Sequence, residues 1–250
     1  MSPPSRPLLV LVGPPGAGKT TVGRMLARWL GVAFADVDAL IVERIGKPIA
    51  EMFTDEGEDA FRALEREVVA EALEGADGVL ALGGGAVLAA ATRERLRGHR
   101  VVLLWVGLAD GIRRTGLSAA RPLLAGVNPR ATFKALLDAR APLYREVATV
   151  EVDTSRRTAG QVTRTVLFEV ARVHPGVVHD AVVAAAATGE PTPPYGAPVA
   201  EGARSDAGTP DGGMADGGMA DGADGRAADA GGAQVPAAVP LPDPFVHRRA

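Results

Sequence analysis

The sequence contains no cysteine among its 250 residues. This absence excludes disulfide bonds, thiolate nucleophiles and cysteine-bound zinc, so any chemistry must come from other side chains. A chain without cysteine suits a reducing compartment, and we expect a cytoplasmic protein.

The sequence also lacks long hydrophobic runs and any strong basic region. No stretch approaches the roughly 20 apolar residues that a membrane-spanning helix needs, and residues 1–6 show neither an apolar core nor a cleavage site for export. Residues 174–250 hold ten acidic and four basic side chains, which leaves a net charge of only +3 on the rest. We therefore expect neither membrane nor nucleic-acid binding, but small anionic ligands.

Short apolar runs alternate with helical patterns over residues 8–173. Five compact runs predict strands covered on both faces, at residues 8–12, 33–36, 79–82, 101–106 and 149–152. Apolar stripes predict amphipathic helices at residues 19–30, 59–73 and 159–173. This alternation predicts an α/β fold of three α/β/α layers around a five-stranded parallel sheet.

The composition changes abruptly at residue 174. Alanine, glycine, proline and aspartate dominate from there to residue 250, and such a segment buries too little apolar surface to offset its ordering entropy. We predict a folded domain over residues 8–173, a flexible segment at residues 1–7 and a disordered tail at residues 174–250, with a transient helix over residues 180–187. The partner of this tail, if it has one, is unknown.

The strongest motif is Gly-Pro-Pro-Gly-Ala-Gly-Lys-Thr at residues 13–20, between the first predicted strand and the first helix. Its glycines allow backbone N–H groups to surround phosphate oxygens, and the helix N-terminus favours the same negative charge. Lys19 is placed to reach the β- and γ-phosphates, and the Thr20 hydroxyl to bind Mg²⁺. The alternative, a chance glycine turn, does not explain both flanking elements.

Two carboxylates, Asp36 and Asp38, stand at the end of the second predicted strand. If the strand continues, their spacing of two directs both side chains to the same side. The carboxyl ends of parallel strands are where open α/β folds bind ligands, and a positioned aspartate can orient or deprotonate an acceptor hydroxyl. A turn or a helix cap is the alternative interpretation.

Five further motifs, taken in their order along the chain, indicate which kind of phosphate-binding protein this is. They are Asp36-Val37-Asp38, Phe61-Arg62, Gly83-Gly84-Gly85, Arg121-Pro122-Leu123-Leu124 and Arg140-Ala141-Pro142-Leu143-Tyr144. Together with the glycine loop, this series resembles the shikimate kinase family over residues 8–173. The resemblance implies a P-loop kinase fold and transfer of phosphate from MgATP to the 3-hydroxyl of shikimate, a step of chorismate and aromatic amino acid biosynthesis. ATP and shikimate would be the partners, and we expect a monomer.

The resemblance also implies roles for individual residues. Asp38 would be the base at the acceptor hydroxyl, Asp36 would lie in the outer shell of Mg²⁺, and Arg62 and Arg140 would bind the shikimate carboxylate. For each arginine alone, a surface position is the commoner explanation, and residues 83–85 alone fit a flexible turn. The predicted catalytic residues are Lys19, Asp38 and Arg121. The substrate set is Asp38, Arg62, Gly83, Gly84, Gly85 and Arg140, and the nucleotide set is Gly16, Ala17, Gly18, Lys19, Thr20, Thr21, Arg114, Arg121 and Arg157.

A polar, glycine-punctuated stretch over residues 112–126 is longer than an ordinary connector and predicts a lid. Lid closure would expel water, and Arg121 would then neutralise charge on the transferring group; a solvated basic loop is the alternative. By resemblance, Arg114 would stack on adenine and Arg157 would border the base. Many relatives carry proline two residues after the latter position, where this chain has Ala159, which puts the adenine contacts in doubt.

Three other functions remain open from the sequence. A kinase for another small hydroxylated carboxylate, such as gluconate, would share the glycine loop and the lid. A GTP switch would need an Asn-Lys-x-Asp segment, which the sequence lacks. An interaction scaffold would depend on the acidic tail rather than on the kinase domain.

Overall fold

A computed structural model describes residues 7–115 and 128–188 of the chain. All of them belong to one compact unit. Within these ranges no helix is both long enough and apolar enough to cross a membrane.

The described strands form one fully parallel sheet, as predicted. They are β1 (Leu9–Val12), β2 (Phe34–Asp36), β3 (Val79–Ala81), β4 (Val101–Trp105) and β5 (Val150–Asp153). Their order across the sheet is β2-β3-β1-β4-β5. Leu9 aligns with Val79 of β3, and Val10 aligns with Val101 of β4. The central β1 therefore delivers the chain to the middle of the carboxyl edge, where the glycine motif begins.

The described helices cover both faces of the sheet. They are α1 (Lys19–Leu30), α2 (Val37–Ile45), α3 (Ile49–Asp55), α4 (Gly57–Gly75), α5 (Ala90–Leu96), α6 (Leu108–Thr115), α7 (Pro129–Val147), α8 (Ala159–Val173) and α9 (Asp180–Thr188). The predictions for residues 19–30, 59–73 and 159–173 correspond to α1, α4 and α8. A short 3-10 turn, Ala86–Leu88, follows β3.

The side chains of β1 show why helices must cover both faces of the sheet. Leu9 and Leu11 pack in the apolar layer under α1, α8 and α9, whereas Val10 and Val12 pack in the layer under α2, α4 and α7. All four are almost completely buried. A compact apolar run without polar alternation is the pattern expected of such a strand.

The described structure corrects the predicted C-terminal boundary of the domain. Residues 174–188 were assigned to the disordered tail, but Val178, Val182 and Ala186 are buried in the layer under α1 and α8. Val182 and Ala186, four residues apart, lie on one face of α9, and Val178 precedes the helix; the alanine-rich composition conceals this apolar pattern. The folded unit thus continues at least to Thr188. The predicted disorder of residues 1–6 and 189–250 concerns residues outside the described ranges and stays a prediction.

Candidate active site

The loop between β1 and α1 has a backbone that only glycine adopts readily. Gly13, Gly16 and Gly18 have φ angles of 147°, 78° and 90°, in the region disfavoured for residues with a Cβ. A Cβ on Gly13 would also lie 2.2 Å from the Leu104 carbonyl oxygen of β4. The loop is therefore pressed against the neighbouring strand, and its shape is fixed before any ligand binds.

Lys19 folds back over this loop. Its ammonium donates hydrogen bonds to the carbonyl oxygens of Gly13, at 2.8 Å, and Pro14, at 3.2 Å. Gly18 caps α1 without a side-chain hydrogen bond, and no acidic residue lies in the first turn. The helix N-terminus and the ammonium thus present positive charge at one place, which suits a phosphate group. Thr21, in the same turn, is exposed.

The Thr20 hydroxyl donates to Asp36 Oδ2 at 2.6 Å. The other oxygen of this carboxylate accepts from the Asp38 backbone N–H at 3.1 Å, so Asp36 is also the N-cap of α2. The helix-cap interpretation therefore holds for Asp36, and the same carboxylate also accepts a hydrogen bond from Thr20. Asp38 lies in the first turn of α2, not in a strand, so the two carboxylates do not share the strand spacing considered from the sequence.

The segment after β3, residues 83–85, is here called the glycine segment. A Cβ on Gly83 would lie 2.7 Å from Asp38 Oδ1, and a Cβ on Gly85 would lie 2.3 Å from Arg62 Nη1. The corresponding atom on Gly84 would lie 3.2 Å from Pro15 Cδ in the phosphate loop. Glycine is required here because functional groups from three other elements approach the backbone.

Arg62, on α4, is held by two acidic side chains on its own helix. Its guanidinium lies 2.6 Å from Glu65 Oε2 and 3.1 Å from Glu58 Oε1. Burial acts to lower the pKa of Arg62, but the two carboxylates outweigh it and the pKa is raised. The arginine therefore stays charged and is preoriented towards the glycine segment.

Glu65 was not found from the sequence. Its side chain is 4% exposed, and burial raises its pKa although Arg62 acts in the opposite direction. A Cβ on Gly83 would lie 2.6 Å from Glu65 Oε1, beside Asp38. The signal that could have revealed it is its spacing of three from Arg62, which places both on one helix face.

Arg140 and Tyr144 approach the glycine segment from α7. Arg140 Nη1 donates to the Gly84 carbonyl oxygen at 3.0 Å, and the Tyr144 hydroxyl donates to the same oxygen at 2.5 Å. The two predicted arginines, Arg62 and Arg140, are thus brought to adjacent residues of one segment. Tyr144 belongs to the motif that carried the resemblance, but its sequence position alone gave no role for it.

Arg114, at the end of α6, bridges the phosphate loop and the loop after β5. It donates to Thr154 Oγ1 at 3.0 Å and to the Thr154 carbonyl oxygen at 2.6 Å, and its contact with the Gly16 carbonyl oxygen is 3.4 Å. The Arg157 carbonyl oxygen also accepts from it, at 3.4 Å. These contacts place Arg114 next to the phosphate loop and the Arg157 backbone next to Arg114.

Ala159, where the family resemblance led us to expect proline, is the first residue of α8. Thr158 and Gln161 form a capping box at this end of the helix. The first helical N–H has no partner within the helix, which is why proline is tolerated at that position and why alanine replaces it without losing a hydrogen bond.

Arg121 and residues 116–126 of the predicted lid lie outside the described residues. Residues 112–115 of that stretch form the end of α6. Within residues 7–115 and 128–188, no three histidine, cysteine, aspartate or glutamate side chains group as a metal site would.

Comparison with known proteins identifies the family. A family model described as "Shikimate kinase" matches residues 15–171, more than half of the chain. A shikimate kinase of Saccharopolyspora erythraea is 68% identical over 148 residues, which cover 59% of this chain and 85% of the relative. One of Thermobifida fusca is 57% identical over 165 residues, 66% of this chain and 95% of the relative.

Solved structures agree with the sequence matches. The shikimate kinase of Acinetobacter baumannii, solved in complex with shikimate, has a TM-score of 0.65 and 40% identity, covering 67% of this chain and 94% of that one. The shikimate kinase of Aquifex aeolicus has a TM-score of 0.59 and 28% identity, covering 67% and 99%. The family model matches from Pro15 of the phosphate loop, over β2 to β5, into α8, and on this basis the chain is a kinase that belongs to the shikimate kinase family.

Proposed function

We propose that this protein transfers the γ-phosphoryl group of ATP to the 3-hydroxyl of shikimate. The observation that carries the proposal is the position of the glycine segment. The segment closely approaches Pro15 of the phosphate loop. It also closely approaches Asp38 and Arg62 and accepts a hydrogen bond from Arg140. A phosphate donor bound at the phosphate loop and a carboxylated acceptor bound by Asp38, Arg62 and Arg140 would therefore be neighbours.

On the donor side, the backbone of residues 16–21 surrounds the phosphates and Lys19 neutralises charge on the β- and γ-groups. Thr20 and Asp36 fit a Mg²⁺ site, because a hydroxyl and a carboxylate are hard oxygen donors and the Thr20 proton is already directed to Asp36. Thr20 would be the direct ligand and Asp36 an outer-shell partner. A Mg²⁺ ion held there would offset the negative charge of the phosphate groups.

On the acceptor side, Arg62 and Arg140 hold the shikimate carboxylate, since the planar guanidinium matches its two oxygens. Asp38 accepts the proton of the 3-hydroxyl as its oxygen attacks the γ-phosphorus. The new C–O–P bond forms while the bond from the γ-phosphorus to the bridging oxygen breaks, and ADP leaves. Gly83, Gly84 and Gly85 let the substrate approach the backbone closely.

Three further assignments belong to the same proposal. Arg121, on a lid over residues 112–126, stabilises the transferring phosphoryl group. Arg114 and Arg157 border the adenine ring. The enzyme acts as a cytoplasmic monomer.

A coupled assay of ADP release over a panel of acceptors tests the proposal. We expect turnover with shikimate and ATP, and little with gluconate, with GTP or without an acceptor. Equal or faster turnover with gluconate would contradict the assigned substrate, and acceptor-independent GTP hydrolysis would contradict the assigned class.

A further inference from the structure

Tyr144 is the largest of the completely buried side chains and carries a polar atom directed at the active site. Its ring packs among the apolar side chains beneath α2, α4 and α7. Its hydroxyl reaches the Gly84 carbonyl oxygen at 2.5 Å. A buried hydroxyl must be hydrogen-bonded to offset its desolvation, so this contact fixes both the side chain and the carbonyl group.

The Tyr144 hydroxyl acts as a permanent donor. Burial raises its pKa to about 12, although the nearby Arg140 guanidinium acts to lower it. The phenol therefore keeps its proton throughout the neutral range. The Gly84 carbonyl oxygen accepts one hydrogen bond from this hydroxyl and a second from Arg140.

The Gly84 carbonyl lies at the junction of the donor and acceptor sites. Gly84 closely approaches Pro15 of the phosphate loop, and its neighbours Gly83 and Gly85 closely approach Asp38 and Arg62, respectively. A shift of this segment by a few tenths of an ångström would therefore move the surroundings of the predicted base and of one carboxylate-binding arginine together. Among the described residues, α7 supplies both donors to this carbonyl, one helical turn apart.

We propose that Tyr144 is a positioning residue, whose hydroxyl fixes the glycine segment between the phosphate loop and the acceptor-binding side chains. This inference rests on the proposed function and extends it to a residue that does not itself touch the substrate.

The test is Tyr144→Phe, which keeps the ring and removes only the hydroxyl. Losing one hydrogen bond that holds the segment should raise the KM for shikimate about threefold to tenfold and lower kcat, while the KM for ATP stays within about twofold. The matched control is Thr163→Val. It removes another fully buried hydroxyl, which bonds the Ala159 carbonyl oxygen in α8 on the opposite face of the sheet, and should leave the KM for shikimate unchanged.

The outcomes separate the two proposals. If Tyr144→Phe is less stable but shows no specific rise in the KM for shikimate, the hydroxyl serves stability alone and the inference is wrong. A variant that does not fold leads to the same conclusion. Equal rises for both substrates would contradict it as well. A wild-type protein without shikimate turnover would instead contradict the proposed function.

Discussion

At the scale of single residues, the acceptor site depends on groups that the sequence presents far apart. Asp38 follows β2, Arg62 lies on α4 and Arg140 on α7. Each was predictable as a residue type through the family resemblance. Their partners Glu65 and Tyr144 were not predicted, because each acquires its role only through contacts that tertiary packing creates.

The predicted base can be tested by Asp38→Asn. The amide cannot accept the hydroxyl proton, so kcat with shikimate should fall about 100-fold to 10,000-fold, with little change in thermal stability. Asp138→Asn is a suitable control because this exposed carboxylate pairs only with Lys134 on the same helix in the contacts described. Near wild-type turnover by Asp38→Asn would remove the assigned role.

Arg140→Ala tests the carboxylate contact. Loss of a charge-assisted hydrogen bond should raise the KM for shikimate about tenfold to 100-fold, with a smaller effect on the KM for ATP. Arg145→Ala, on the same helix, removes a half-exposed arginine paired with Glu151 and should change neither constant. An unchanged KM for shikimate in Arg140→Ala would argue against the carboxylate-binding role.

The buried Glu65 predicts a pH-dependent stability. Because burial raises its pKa, the folded state binds a proton here more readily than the unfolded chain between the ordinary and the raised pKa. The free energy of unfolding should therefore decrease as the pH rises through that interval. Glu65→Gln should lack this contribution, so the wild-type value minus the variant value should decrease as the pH rises above the ordinary glutamate pKa of about 4. Urea unfolding across this range measures it, and a pH-independent difference would contradict the expectation.

At the scale of secondary-structure elements, the sheet was predictable and several connections were not. Compact apolar runs identified all five described strands, because a strand covered on both faces needs no polar alternation. The helix α2 was missed because Asp36-Val37-Asp38 was read with strand spacing, whereas Asp36 caps a helix. The helix α9 was predicted over residues 180–187, but only as a transient helix in a disordered tail, because composition was weighed above the apolar residues Val182 and Ala186 that bury it.

The loop after β5 yields a prediction at this scale. Arg156 has a φ of 54°, the left-handed region that residues with a Cβ rarely adopt. Its backbone N–H donates to Asp110 Oδ2 at 2.8 Å. Removing this acceptor by Asp110→Ala should loosen the loop and raise the KM for ATP about threefold to tenfold, with the KM for shikimate unchanged.

Glu94→Ala is the control for that variant. It removes an exposed carboxylate paired with Arg97, at the end of α5, and should leave both KM values unchanged. A rise in the KM for shikimate alone in Asp110→Ala would show that the loop does not serve the nucleotide.

At the scale of the whole molecule, the folded unit extends at least through α9. A chain ending at Thr188 should keep the stability and kinetics of the full-length protein. A chain ending at Val173 would expose the surface that Val178, Val182 and Ala186 cover. Burial of one valine side chain contributes about 1.5–3 kcal/mol, so the chain ending at Val173 should lose at least about 2 kcal/mol of unfolding free energy.

Thermal or urea unfolding of the two truncated chains measures this difference. Equal stability of both would restore the boundary predicted from composition. A loss of turnover on truncation at Thr188 would instead assign residues 189–250 a part in catalysis.

The central claim is that one sheet edge holds ATP beside shikimate and passes a phosphoryl group between them. The most direct measurement is the identity of the product, by ³¹P NMR of a reaction containing ATP, Mg²⁺, shikimate and the full-length chain. The account predicts one shikimate 3-phosphate for each ADP formed. Release of inorganic phosphate with unmodified shikimate would contradict it.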